Sequence, residues 1–177
     1  MTLPDIQLEK TVTLKNEWCR RFRRTEGTIS GLTGHAIGID PGVNFGVSVL
    51  SDDKLIVYHG TLKRETEPGR YGYVAYKFLR SLFVDTKADV CIIEGAAYGA
   101  PYGQPLMAEV RTGYYLAMAL SGNVKVKIVP PATIRKKVFN DGRFQAMDKW
   151  VSLENNAADS LSMVLYAAME NENEITS

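Results

Sequence analysis

The amino-acid sequence predicts an α/β fold on a five-stranded mixed sheet, with antiparallel strands 1-3 followed by parallel strands 4 and 5, and helices on both faces. Three observations predict it. Residues 36–39 and 47–50 are short apolar runs joined through Pro41-Gly42, and residues 54–58 resume the pattern after Asp52-Asp53. Strands on such short connections make an antiparallel meander. Tyr71, Val74, Ala75, Phe78, Leu79 and Leu82 recur at helical spacing, which marks one buried helix face. Residues 89–94 read DVCIIE, a continuous apolar run of the kind that parallel sheets bury on both faces.

Each remaining element follows from its own signals. Residues 1–34 differ from the rest and read as an N-terminal arm. Within it, Trp18, Arg20, Arg21, Phe22, Arg23 and Arg24 form a basic, aromatic-bearing patch before the glycine-rich stretch 27–34. Such a patch can grip phosphates and stack on bases; it can equally be a solvated arm or a segment packed on the domain surface. The main domain is expected over residues 35–170, with 171–177 as a polar tail. Residues 95–104 (GAAYGAPYGQ) read as a loop, and Pro105 suits the first position of a helix whose face is Leu106, Val110, Gly113, Ala117 and Leu120. Residues 124–129 alternate with Lys125 and Lys127 outward, and Pro130-Pro131 ends that strand. Residues 132–139 form a basic helical segment, and 140–145 a loop. The closing helix begins at Asn155-Asn156 and buries Leu161, Val164, Leu165 and Ala168.

Composition narrows the classes. A chain of 177 residues that is 45% hydrophobic suits one domain with a sizeable core and excludes global disorder. The net charge of +1 is unevenly spread: residues 121–150 hold seven Lys and Arg against two Asp, and from 151 onward there are acids and no Lys or Arg. Two cysteines and two isolated histidines argue against a disulfide scaffold and a zinc site. No apolar run is long enough to cross a bilayer, and the N-terminus lacks a signal peptide's apolar centre. A soluble, cytoplasmic protein is expected.

Three carboxylates stand at element ends. Asp40 closes the run 36–39 just before a Pro-Gly turn, and Glu94 closes the run 89–93 before Gly95. An acid so placed is held on rigid backbone and faces a rim; a solvated turn or strand-end acid is the plainer alternative. Asp159 is expected in the first turn of the closing helix, at N3 if Asn156 is the N-cap. If the two strands are parallel neighbours, Asp40 and Glu94 lie side by side, and docking the helix brings Asp159 to them. Their repulsion would raise a pKa or disrupt packing unless divalent cations intervene. Oxygen-only ligation favours Mg²⁺ or Mn²⁺. Two such ions roughly 4 Å apart can activate water and stabilise the leaving oxygen of a phosphodiester.

These residues resemble the RuvC-type Holliday junction resolvases of the RNase H-like superfamily. The matches are GIDPGVNFGVSV at 38–49, IIEGAAYG at 92–99 and AADSLSMVLYA at 157–167, with a weaker run through Pro130, Lys136-Lys137, Gly142 and Lys149 and a helix spaced like the family's through Arg111 and Gly113. The resemblance covers about residues 36–169. It implies an RNase H-like sheet, a homodimer and an endonuclease that resolves Holliday junctions and other branched DNA. It further implies metal ligation by Asp40, Glu94 and Asp159, with two Mg²⁺ or Mn²⁺ ions per site. Arg135, Lys136, Lys137, Arg143 and Lys149 would hold the DNA backbone, unless they are simply a solvated basic face. No nucleotide cofactor and no membrane are implied.

The sequence departs from that family in three places. A fourth acid is expected three residues before Asp159, and Asn156 stands there; its carbonyl oxygen can ligate a cation but brings no charge. This is either natural variation with altered metal use or an inactivating Asp→Asn change. The family's aromatic three residues after the glutamate is Ala97 here, so Tyr98 or Tyr102 would take over base stacking, or pack within the loop. The segment between Gly142 and Asn156 is short and the N-terminal arm is additional, which suggests a divergent, virus-encoded branch acting in a host cell. Two other classes stay open. One is a non-catalytic nucleic-acid-binding module on the same fold, and the other an actin-like nucleotide phosphotransferase, whose second lobe so short a chain lacks.

Overall fold

In a computed structural model of the chain, residues 3–82, 88–95, 105–122 and 124–175 are described. The first thirty residues, read as an arm, are strands: β1 (Asp5–Leu8), β2 (Val12–Thr13) and the long β3 (Cys19–Ser30). Next come β4 (Gly34–Asp40), β5 (Asn44–Asp52) and β6 (Lys54–Leu62), the expected meander, followed by α1 (Arg70–Leu82) and β7 (Val90–Glu94). The chain continues through α2 (Pro105–Ala119), β8 (Lys125–Val129), α3 (Pro131–Phe139), the single turn α4 (Ala146–Lys149) and α5 (Asn155–Ile175).

Among the described residues the sheet has eight strands in the order β1-β3-β6-β5-β4-β7-β8, with β2 also on β3. The five expected strands are the contiguous run β6-β5-β4-β7-β8, in which β4 pairs antiparallel with β5 and parallel with β7. The extra three extend the β6 edge through the antiparallel β3–β6 pairing. Strand count is therefore higher than the sequence suggested, for a physical reason. Cys19 and Phe22, three positions apart, both belong to the core on one sheet face, because the register shifts between Cys19 and Arg21. A strand whose inward positions change parity at an irregularity shows no clean period-two pattern. Covering the β6 edge also removes a row of unpaired backbone groups.

Alternation along each central strand divides the interior in two. Ala36, Leu50, Leu55, Val57 and Ile92 face α5, while Ile37, Ile39, Phe45, Val47 and Ile93 face α1 and α2. Fully burying side chains of this size contributes about 1.5–3 kcal/mol each. α5 crosses β4 and β5 at very short range because Gly38 and Gly46 present no side chain there. An added Cβ at Gly38 would overlap the Ser160 carbonyl, and one at Gly46 would overlap that of Asn156. A buried hydrogen bond between Ser48 and Ser160 hydroxyls, 2.8 Å, fixes the same crossing.

Candidate active site

Register determines which side chains meet. Ile39 lies opposite Ile93 in the parallel β4–β7 pair, so the next residues, Asp40 and Glu94, leave the sheet together at its carboxyl edge. Across the antiparallel pairs, Asp40 is opposite Gly46, Gly46 opposite His59, and His59 opposite Arg23. Residues paired in register share a face, so Arg23, His59, Asp40 and the bare spot at Gly46 form one row facing α5. The first turn of α5 rests on that spot, and Asp159, only 7% exposed, enters from above.

The cap of α5 stands two residues earlier than Asn156, the N-cap the sequence suggested. The Ala158 N–H donates to the Glu154 carbonyl at 3.0 Å, and the helix runs from Asn155. Glu154 thus holds the cap position, Asn156 is the second helical residue rather than the N-cap, and Asp159 lies beyond the first turn.

Burial raises all three acids, and the Asp159 charge acts on both Asp40 and Glu94. Burial, then the charges of Glu94 and Asp159, then a hydrogen bond to Glu94 push the Asp40 carboxyl well above the usual carboxylate range, with Arg111 opposing. Burial and the Asp159 charge raise Glu94, against a hydrogen bond from Asp40 and the charges of Arg135 and Arg111. Burial raises Asp159 against its Arg135 neighbour, whose guanidinium stands 3.6 Å from the Asp159 Oδ1. Such a cluster stores repulsion that a bound cation would relieve, and its all-oxygen donor chemistry fits Mg²⁺ or Mn²⁺. Among the described residues, however, no three His, Cys, Asp or Glu side chains are gathered closely enough to form a ready-made ion site. The carboxylates are near enough to shift each other's titration and are not drawn around one point.

The basic residues separate into two groups. Arg135 points at Asp159, and Lys137 is paired with Glu170 at 3.0 Å. Lys136, Arg143 and Lys149 are exposed on and after α3. Tyr98 and Tyr102 lie outside the described residues. The N-terminal basic patch is occupied with internal contacts: Arg21 and Arg23 reach Glu154 at 2.7 and 3.3 Å, and Arg24 reaches Glu26 at 2.6 Å. Trp18 meets the Tyr73 ring edge-on, with Lys77 over its face, while Phe22 is buried beside Tyr58 and Phe78. Of the alternatives left open for this patch, packing on the domain describes these contacts.

Two groups near the acids escaped the sequence reading. Arg111 entered it only as a spacing landmark in α2, yet its charge acts on Asp40 and Glu94; an arginine beside the apolar face of Val110 and Gly113 was the available signal. The other is Glu154 with its partners, for which local sequence held no signal.

A mixed sheet with antiparallel β6-β5-β4 and parallel β4-β7-β8, two carboxylates at the ends of adjacent parallel strands and a third on the helix laid across them, is an RNase H-like fold. Within that class the chain is similar to the solved structure of Thermus thermophilus RuvC, with a TM-score of 0.59 and 17% identity over 78% of this chain and 96% of that one. It is likewise similar to T. thermophilus RuvC in complex with Holliday junction substrate, with a TM-score of 0.55 and 17% identity over 79% and 96% of the two chains. The RuvC-like fold expected from the motifs is therefore present. No protein-family model matches the chain, and no curated protein matches it in sequence. No helix among the described residues is long and apolar enough to cross a membrane.

Proposed function

We propose that this protein is a metal-dependent endonuclease acting on branched DNA, with the four-way junction as its principal substrate. The observation that carries the reading is the convergence of three acids from β4, β7 and α5 at one sheet edge, where the Asp159 charge acts on both Asp40 and Glu94. The junction-bound RuvC structure of similar fold supports branched DNA as the substrate class. Residues 35–170 form the nuclease domain in this reading, and residues 1–34 extend it.

Asp40 is the central ligand, flanked by Glu94 and Asp159, with Asn156 offering a neutral oxygen. Two Mg²⁺ or Mn²⁺ ions held there would supply an activated water and charge stabilisation for phosphodiester hydrolysis. The chain's own residues do the rest. Arg135, Lys136, Lys137, Arg143 and Lys149 bind the phosphate backbone and bring the scissile bond to the carboxylates. Tyr98 and Tyr102 stack on bases near the branch point. Arg135, 3.6 Å from Asp159, would be free to bind phosphate where a cation neutralised that acid. A homodimer would place two such sites on paired strands.

The test is incubation of the protein, Asn156→Asp and Asp40→Asn with a labelled four-way junction in Mg²⁺ and in Mn²⁺. Nicking by the parent and by Asn156→Asp, lost in Asp40→Asn, is expected. If neither nicks, the nuclease reading fails. A second reading has its own observation: Asn156 brings no charge, and Arg135 already neutralises part of the cluster. On that reading the chain binds junctions without cutting them. Tight binding by the parent with cleavage appearing only in Asn156→Asp would favour it.

A further inference from the structure

The N-terminal extension, which lies outside the motifs, ends in an ionic cluster on the helix that carries Asn156 and Asp159. Arg21 and Arg23 project from the α5-facing side of β3 onto the two Glu154 carboxylate oxygens, Arg21 to Oε2 at 2.7 Å and Arg23 to Oε1 at 3.3 Å. His59, 3% exposed on β6, sits under the same carboxylate, with its Nδ1 3.5 Å from Oε2 and without a hydrogen bond. The backbone carbonyl of Glu154 accepts the first hydrogen bond of α5. Two residues on, the Asn156 carbonyl lies over Gly46, which pairs with Asp40 on one side and His59 on the other. One residue therefore ties the added strand, the sheet and the first turn of the helix together.

We infer that Glu154 is a positioning residue: held by Arg21 and Arg23 of the extension, it sets where the first turns of α5 stand over the sheet, and so how far Asn156 and Asp159 lie from Asp40 and Glu94. Its geometry suits this role. Two arginines on separate carboxylate oxygens restrain both the position and the rotation of the carboxylate. The contact is at the helix cap, where a shift moves the whole turn. The acids on the sheet are held by β4 and β7, so the placement of the first turns of α5 sets the remaining distances in the site. The catalytic consequence rests on the nuclease reading; the anchoring of the helix does not.

The experiment uses the full chain and three variants: Glu154→Gln, Arg21→Met with Arg23→Met, and the exchange Glu154→Arg with Arg21→Glu. Two quantities are read, amide hydrogen exchange over residues 158–161 and junction nicking at saturating DNA alongside junction affinity. In Glu154→Gln and the double methionine variant, exchange at 158–161 should rise about tenfold above that in β4 and β7. Nicking should fall on the order of tenfold with affinity unchanged, and the charge exchange should recover part of both. Unchanged exchange overturns the inference. So does faster exchange with unaltered nicking, which leaves a structural tie only. A loss in the methionine variant traced wholly to weaker junction binding overturns it as well, because the arginines would then be phosphate ligands. If the parent nicks nothing in either metal, the nuclease reading has failed separately, and the exchange rates decide the anchoring alone.

Discussion

Replacing Gly46 with alanine tests whether the α5–sheet distance governs activity. An added Cβ at this position would overlap the Asn156 carbonyl group and lie 3.0 Å from the Ala157 nitrogen. All three atoms are backbone, so no rotamer change relieves the clash; the helix start must lift or tilt. Clearing a methyl group requires a displacement of about 1 Å, and misplacement of that size costs on the order of 10²-fold in rate. Overpacking of a tight crossing also costs about 1–3 kcal/mol of stability. The assay is single-turnover nicking of a four-way junction in Mn²⁺, with thermal unfolding measured on the same samples. Gly142→Ala is the control, since its Cβ would meet only the Ala132 carbonyl at 3.2 Å, away from the acids. A folded Gly46→Ala that nicks at the parental rate would refute the claim that this crossing positions Asn156 and Asp159.

Other outcomes follow from the same site. Asp40, Glu94 and Asp159 all hold protons more tightly folded than free, so the native state binds more protons than the unfolded chain. The contribution of these three acids to stability in chelator should therefore be fully present below the ordinary carboxylate range, about pH 4, and be lost as pH rises through the raised folded values. Melting curves from pH 4 to 8 check this, and Asp40→Asn should flatten the fall and raise the melting temperature at neutral pH. Asn156→Asp should lower metal-free stability at pH 7 and tighten Mn²⁺ binding, read by calorimetric titration. Replacing exposed Lys136, Arg143 and Lys149 by alanine should weaken junction binding without regard to sequence. Each cation that no longer reaches a phosphate should reduce the slope of log K against log salt by about 0.9.

Much of the fold was legible because it is written locally. The runs at 36–39, 47–50 and 89–94, the helical spacing of Tyr71 to Leu82 and the proline at 105 each report burial through a period or a stop, and the central sheet and its helices stand where those signals lie. Asp40 and Glu94 could be paired in advance because two acids ending two parallel strands must emerge at the same edge. The N-terminal strands were not legible, since the register shift between Cys19 and Arg21 breaks the alternation of β3, putting Cys19 and Phe22 on the same face. Its arginines were not legible either. A basic patch looks the same whether it meets phosphate or a carboxylate 133 residues away, and only the folded chain brings Glu154 to Arg21. Periodicity along the chain determined which residues are buried and where the acids sit. Proximity between distant segments decided which charges are already paired, where α5 begins and how closely it lies on Gly46, because ion pairing and close packing depend on distances that no local pattern encodes.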